Sequence, residues 1–179
     1  MFSLLMISMV NGQTLLWQTE SGVLAFSSEA PLEIIKAESH ALRGIINPAN
    51  KSFAFSLNIN SFQGFNSPIQ QTHFIENYLE GKKYPYATFS GKLIEDIPFN
   101  TPGTYSVRAK GKLDIHGVSK ERIIRGTLVV KKGGGGHIQT EFTIPVSDHG
   151  ITIPKIVQQK IADEIQVRIE LDFAEGEKS

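Results

Sequence analysis

The chain has 179 residues, of which 40% are hydrophobic and 20% charged, a composition typical of one globular domain with a sizeable core. Its 18 basic and 18 acidic side chains balance, which argues against nucleic acid as a partner. Cysteine is absent, so this chain has no disulfide, no thiolate nucleophile, no cysteine-ligated metal and no cysteine for lipid anchoring.

The opening segment, MFSLLMISMVNGQ, is an apolar run too short to span a bilayer. It is typical of the hydrophobic region of a signal peptide, with Val10 and Gly12 as small residues before a cleavage site and Gln13 as the first mature residue. The usual preceding basic segment is missing, so an upstream start or a buried first strand are alternatives. The sequence predicts a signal-peptide remnant over residues 1–12, one domain over 13–179, and no transmembrane span in the mature chain.

Alternating apolar and polar residues, the period of a half-buried strand, recur along the rest of the chain. In residues 52–60, for example, every second residue is Phe, Leu or Ile. Turn residues such as Asn47-Pro48 and the glycine run at 133–136 separate these segments. The pattern predicts strands over 22–28, 32–37, 40–46, 52–60, 86–95, 105–115, 122–131, 137–147 and 164–174.

One segment follows a helical period instead. Ser67-Pro68 can cap a helix and set its first turn, apolar residues follow at helical spacing up to Leu79, and Gly81 can end it. The sequence thus predicts a short helix over 68–80, with a weaker helical turn over 155–160. Many antiparallel strands with one or two short helices predict an all-β barrel or sandwich, and alternation alone does not choose between them.

Residues 105–122, YSVRAKGKLDIHGVSKER, combine a long alternating strand with a tight polar connection at His116-Gly117 and an immediate second strand. The LDIHGVSK core resembles a hairpin of the YceI-like family. Other stretches resemble the same family in the same order along the chain: FSSEAPLE, GIINPANKSFAFSLNINSF, HFIENYLEGKKYPYATFSG and FTIPVSDHGITIP. Long ordered matches of this kind are more specific than a single short motif.

The resemblance implies a single eight-stranded antiparallel barrel, lipocalin-like, with one or two short helices, in a periplasmic or secreted bacterial protein. It also implies an interior that holds one long apolar lipid, a polyisoprenoid or a fatty-acid-like molecule, as the ligand and partner, with no other cofactor. Burying a hydrocarbon needs no charged group, and the inward faces of the predicted strands offer none. The expected function is lipid binding, extended to transport or storage, without catalysis.

Apolar residues on the inward faces are the candidates for a pocket lining. Residues on or near the helix are candidates for the mouth, where a headgroup would bind: His73, Tyr78 and Tyr84. The pocket candidates are Phe53, Phe55, Leu57, Phe89, Leu93, Tyr105, Val107, Phe142, Val167, Ile169 and Phe173. For any one of them an ordinary core role stays open, because every barrel has an inward apolar face.

The five histidines show no metal-ligating spacing, so no metal site is expected. An enzyme would have to use His116, or the Asp148–His149 pair, as acid and base. His116 has a competing interpretation as a hairpin residue whose ring bonds nearby backbone. A further alternative is a solidly packed barrel that serves as a structural or stress-related interaction protein. The oligomeric state is open, with a homodimer as one option.

Overall fold

The structure, a computed structural model, describes residues 15–177. The predicted signal-peptide remnant at residues 1–12 lies outside the described residues and stays a prediction, as does a domain start at residue 13. The described chain forms eight strands: β1 (Leu15–Glu29), β2 (Ile34–Asn47), β3 (Ser52–Asn58), β4 (Tyr86–Leu93), β5 (Gly103–Ile115), β6 (Val118–Val130), β7 (Gly136–Pro145) and β8 (Glu164–Glu177).

Every strand pairs antiparallel with the next, and β8 returns to pair with β1, so the eight strands form one closed barrel. This confirms the predicted eight-stranded antiparallel barrel and decides against a sandwich. Helical segments are short: α1 (Pro68–Thr72) continues as a π-helical turn over His73–Tyr78, and 3-10 turns lie at Ile59–Ser61, Val146–His149 and Lys155–Val157. The predicted helix over 68–80 and the helical turn near 155–160 are therefore present.

Strand β2 corrects one prediction, because residues 34–37 and 40–46 belong to one strand and not to two, and residues 32 and 33 lie in the loop before it. Ser39 and Leu42 are both buried, although they are an odd number of residues apart. The register against β1 shifts between these positions, which marks a bulge that reverses the side-chain phase. The sequence pattern therefore breaks within a continuous strand. Strand β1 likewise starts earlier than the predicted residue 22.

The connections collect at two ends of the barrel. Three of them, residues 48–51, 94–102 and 131–135, lie at what we call the closed end. There Trp17 is 1% exposed and meets the Phe99 ring edge-on, with 5.0 Å between ring centroids. The opposite end, which we call the mouth, carries the β1–β2 loop, the helical segment between β3 and β4, the β5–β6 hairpin and the segment between β7 and β8.

The β5–β6 hairpin turns in only two residues, because Ile115 pairs directly with Val118. Both loop residues have positive φ, 54° at His116 and 70° at Gly117, as a type I′ turn requires. A Cβ atom at position 117 would lie 2.4 Å from the Tyr84 ring, so glycine is needed there for space as well as for conformation. The predicted tight polar connection is confirmed.

The wall between β6 and β7 has a gap in its backbone ladder, which we call the seam. These strands share only four residue pairs, Thr127–Val130 with Gly136–Gln139, whereas β5 and β6 share thirteen. Toward the mouth, side chains bridge the two sides in place of the ladder. Thr140 Oγ1 donates a hydrogen bond to the Arg125 carbonyl oxygen at 2.6 Å. Arg122 Nη2 donates to Asp148 Oδ2 at 2.8 Å. His149 Nδ1 donates to the Val118 carbonyl oxygen at 2.9 Å.

Replacing Asp148 with Asn removes the charge of the seam ion pair and keeps the side-chain size. We expect the free energy of unfolding to fall by about 0.5–1 kcal/mol, because both partners are partly exposed. Amide hydrogen exchange should become faster over residues 119–125 and stay unchanged over 127–130, where the ladder is intact. Glu121→Gln is the control, since Glu121 meets Lys110 on the open surface. Equal exchange profiles in both variants would contradict a role for the ion pair in closing the seam.

A second ion pair predicts a pH dependence of stability. Glu95, in the loop after β4, accepts hydrogen bonds from Arg108 Nε at 2.7 Å and from the Arg108 backbone nitrogen at 2.6 Å. These bonds outweigh the opposing effect of burial and lower the pKa of Glu95 below its ordinary value of 4.5. A carboxyl whose folded pKa is depressed stabilises the fold above its unfolded pKa, and this contribution is lost as the pH falls through the folded pKa.

Glu95→Gln should therefore lower the free energy of unfolding by about 0.5–1 kcal/mol at neutral pH. The difference from the unchanged protein should shrink as the pH falls below 4.5, because the protonated carboxyl loses the same interaction. Denaturant unfolding at several pH values measures it. Glu141→Gln, on the outer face of β7, is the control and should show little effect. A destabilisation that is independent of pH would show that lost packing is the cause.

Candidate functional site

The barrel contains a cavity of about 520 Å³ that extends to the mouth. Its wall is almost entirely apolar, because inward-facing positions of all eight strands contribute to it. Near the mouth its lining includes the partly exposed Glu33 and Gln70 and the exposed Lys160. A volume of this size is in the range of small-molecule sites. The interior can therefore hold an apolar molecule with one end near solvent.

Small side chains provide the space. Ala87 on β4 and Ala109 on β5 lie in the cavity wall. Gly91 and Gly111 have another role: they face each other as a register pair, and a Cβ at Gly91 would lie 2.5 Å from the Gly111 Cα. These two glycines allow β4 and β5 to approach closely, whereas the two alanines leave space inside the barrel for the cavity.

Nine of the eleven candidate pocket residues line the cavity. Their contact with a ligand stays a prediction, since the lining alone does not test it. They are Phe53, Phe55, Leu57, Phe89, Leu93, Val107, Phe142, Val167 and Ile169.

The other two candidates, Tyr105 and Phe173, belong to the closed end and not to the cavity wall. The Tyr105 hydroxyl donates to the Thr101 carbonyl oxygen at 2.9 Å. Phe173 packs between Trp17 and Phe55, with centroid distances of 6.3 and 6.2 Å. Both side chains face inward, but they lie at the level of the barrel where aromatic rings fill the interior.

The helical segment covers part of the mouth. Ser67 caps α1 by accepting a hydrogen bond from the Gln70 backbone nitrogen at 3.3 Å, as the sequence predicts. In the following π-helical turn, Phe74 stacks on Phe26 of β1 with 4.8 Å between centroids and 14° between ring planes. Phe62 and Phe65 complete this aromatic cluster. The cluster fixes the helical segment to the barrel above the cavity.

The three mouth candidates separate in the structure. His73 and Tyr78, both on the helical segment, lie in the cavity lining. Tyr84 lies away from it, because its ring packs edge-on against His116 at 5.0 Å and under the turn at Gly117. Whether His73 and Tyr78 contact a headgroup stays a prediction.

His116 joins three parts of the mouth. Its Nδ1 lies 3.2 Å from the His149 carbonyl oxygen, and its Nε2 lies 2.5 Å from a carboxylate oxygen of Glu80. Glu80 follows the helical segment and has a positive φ of 47°. His116 is outside the cavity lining, and both ring nitrogens have partners. This arrangement favours the hairpin interpretation of His116 over an acid or base that works on a ligand in the cavity.

Asp148 and His149 do not act as a pair. Asp148 bonds Arg122, whereas the His149 ring bonds the Val118 carbonyl oxygen. His149 is fully buried in the cavity wall, and no apolar-polar alternation in the sequence indicates this, because it lies in a 3-10 turn after β7. Only the folded structure identifies it as part of the site.

Two features are absent from residues 15–177, the part of the chain that the structure describes. Within them, no group of three His, Asp or Glu side chains is arranged to hold a metal ion. No helix in that part of the chain has the length and apolar character that crossing a membrane requires.

No curated protein matches this chain, whereas several solved structures and one family model do. The fold is similar to a polyisoprenoid-binding domain from Saccharophagus degradans implicated in plant cell wall breakdown, at 14% identity and a TM-score of 0.76, over 92% of this chain and 99% of that one. It is also similar to BcnA of Burkholderia cenocepacia, at 20% identity and a TM-score of 0.66, over 86% of this chain and 96% of that one.

The Campylobacter jejuni YceI protein is a third similar structure, at 18% identity and a TM-score of 0.53, over 99% of this chain and 91% of that one. At these identities the likenesses concern the fold alone. The family evidence comes from the sequence, because the model of the YceI-like domain matches residues 7–173. The chain therefore belongs to the YceI-like domain family.

Proposed function

We propose that this protein binds one long apolar lipid, a polyisoprenoid or a similar chain, inside its barrel, and that it does so in the periplasm or outside the cell. The observation that carries the proposal is the apolar cavity of about 520 Å³ that extends to the mouth. Burial of a hydrocarbon in such a cavity is favourable by about 25 cal/mol per Å² of surface. The Saccharophagus relative, described as polyisoprenoid-binding, supports the ligand class.

The shape of the cavity suits a slender ligand with distinct ends. Aromatic rings at the closed end, among them Trp17, Phe99 and Phe173, stop the cavity there. The polar side chains of the lining, such as Glu33 and His73, lie at the mouth. A lipid would therefore place its tail toward the closed end and its head near the mouth. In this orientation the protein could pass the lipid to another carrier or store it.

The two alternative functions fit the structure less well. A solidly packed interaction protein would have its interior filled, whereas this barrel leaves space beside Ala87 and Ala109. An enzyme based on His116 would need that ring in contact with a substrate, and the ring is bonded to Glu80 outside the cavity lining. Binding without catalysis accounts for the apolar wall more simply.

Native mass spectrometry of the purified protein, followed by lipid extraction, tests the proposal directly. We expect one hydrocarbon ligand per chain, either co-purified or gained on incubation with prenols, quinones or fatty acids. A mass that stays that of the bare protein after all three incubations would count against lipid binding and favour the interaction protein.

Filling the cavity should abolish binding. Ala109→Phe places a ring in the cavity space, and we expect at least a tenfold loss of lipid affinity together with a stability cost of about 1–3 kcal/mol from overpacking. Ala54→Phe, on the exposed outer face of β3, is the matched control and should bind as the unchanged protein does. Circular dichroism confirms folding, and the smaller Ala109→Leu serves if the Phe variant misfolds. Unchanged affinity in a folded Ala109→Phe variant would place the ligand elsewhere.

A further inference from the structure

We propose that the mouth of the barrel docks on the surface of a lipid bilayer that contains anionic lipids, and that the protein takes up or releases its ligand there. This inference rests on the proposed function and names the partner that supplies or receives the lipid. The contact surface, which we call the rim, consists of the exposed side chains of three segments at the mouth: residues 30–34, 67–70 and 154–160.

The rim carries large apolar side chains that the barrel does not bury. Ile156, in the 3-10 turn Lys155–Val157, is 92% exposed, and none of its atoms line the cavity. Leu32 in the β1–β2 loop and Ile34 at the start of β2 are 66% and 54% exposed, and they too lie outside the cavity lining. Ile69 of α1 is 65% exposed and does line the cavity, so it stands at the edge of the opening. Single exposed apolar side chains are ordinary, whereas a group of them around one opening marks a contact with a protein or a membrane.

Hydrogen bonds join the three segments of the rim. The Leu32 backbone nitrogen donates to the Gln159 carbonyl oxygen at 2.8 Å, which links the β1–β2 loop to the segment after β7. Gln70 Nε2 donates to Glu33 Oε1 at 2.8 Å, which links the same loop to α1. Each segment also contributes to the cavity lining near the mouth, through Glu33, Gln70 and Lys160. The exposed apolar side chains of the rim therefore border the opening of the cavity.

The nature of the ligand favours a bilayer as the partner. A long hydrocarbon is costly to expose to water and collects in membranes, so a cavity that takes it up has to meet a membrane at its open end. The polar side chains of the lining lie at the mouth, and the aromatic rings stop the cavity at the closed end. The rim is thus the part of the surface across which the lipid would pass.

The charge of the rim favours anionic lipids. Lys155 and Lys160, both exposed, stand on either side of Ile156 in the chain, and residues 149–162 contain no acidic residue. The other two segments of the rim contain one carboxylate, that of Glu33, which is bonded to Gln70. Aliphatic side chains combined with lysines are typical of surfaces that insert into the headgroup region of an anionic membrane. Contact with such a membrane would bury the apolar side chains and pair the lysines with headgroups.

Flotation with phosphatidylcholine vesicles, with and without phosphatidylglycerol, tests the contact. The double variant Leu32→Ser/Ile156→Ser should bind vesicles at least tenfold more weakly than the unchanged protein, because two inserted side chains are lost. Ile45→Ser is the matched control, since Ile45 is exposed on β2 near the closed end, and it should bind as the unchanged protein does. Circular dichroism confirms that the variants fold.

The lysines provide a second comparison. Lys155→Gln should weaken binding about fivefold on vesicles that contain phosphatidylglycerol and leave binding to phosphatidylcholine alone unchanged. Lys132→Gln, which makes the same charge change in the exposed connection at the closed end, should have no effect. Salt should weaken the binding of the unchanged protein to the anionic vesicles. Equal binding to both kinds of vesicle would overturn the assignment of an anionic surface.

Transfer of a fatty acid that carries an anthroyloxy fluorophore, from the protein to the anionic vesicles, connects docking with the ligand. The double variant should transfer it at least tenfold more slowly, and its affinity for the fatty acid without vesicles should be unchanged, because neither position lines the cavity.

Equal vesicle binding by the unchanged protein and the double variant, or none by either, would overturn the inference. A dimer in sedimentation that the double variant loses, without any vesicle binding, would assign the rim to a second copy of the chain and overturn it as well. If the protein binds vesicles but neither fatty acids nor prenols, the proposed function fails. If it binds these lipids in solution but no vesicles, only the docking fails.

Discussion

Pairing of β1 with β8 is the constraint on which the rest of the structure depends. Once the last strand hydrogen-bonds to the first, the sheet has a fixed circumference and two distinct faces. Eight strands enclose an interior that side chains can just fill or that can hold one small ligand. Which of these outcomes occurs depends on residue size at each level of the barrel. Rings such as Trp17 fill one level, and Ala87 and Ala109 leave the next one open.

The mouth is held by a polar network that closure alone does not provide. Glu80 and His116 are bonded to each other, and each is a non-glycine residue with positive φ. Such conformations persist where surrounding contacts hold them, and they concentrate at ligand sites. Here they link the end of the helical segment to the β5–β6 hairpin, and through the His149 carbonyl to the seam. The segments that border the cavity entrance thus depend on one another.

The sequence predicts the fold well wherever strands alternate without interruption. Residues 105–122 show both strands and the turn between them, because inward and outward positions keep one phase there. The pattern fails in β2, where a bulge reverses the phase and splits one strand into two predicted ones. It also cannot give depth along the barrel axis. Tyr105 and Phe173 face inward as predicted, yet they lie below the cavity floor, and only the three-dimensional register shows this.

Side-chain partners across long sequence distances are likewise hidden from the sequence. Tyr84 stands close to His73 in the chain, but it packs under the hairpin and the histidine lines the cavity. His149 lies in an irregular turn where no periodicity applies, and its burial follows from contacts with β6. Most of the apolar wall could be predicted from the alternation of the strands, whereas the buried histidine within it could not.

The seam leaves part of β6 as a strand edge within the closed barrel. From residue 118 to 126, β6 has no ladder partner on the β7 side. A free edge of this kind invites a strand from another molecule, and proteins discourage this with charged side chains. This stretch reads VSKERIIRG, with Lys120, Glu121, Arg122 and Arg125 around the exposed Ile123. The charged side chains along this edge therefore disfavour its pairing with a strand of another molecule.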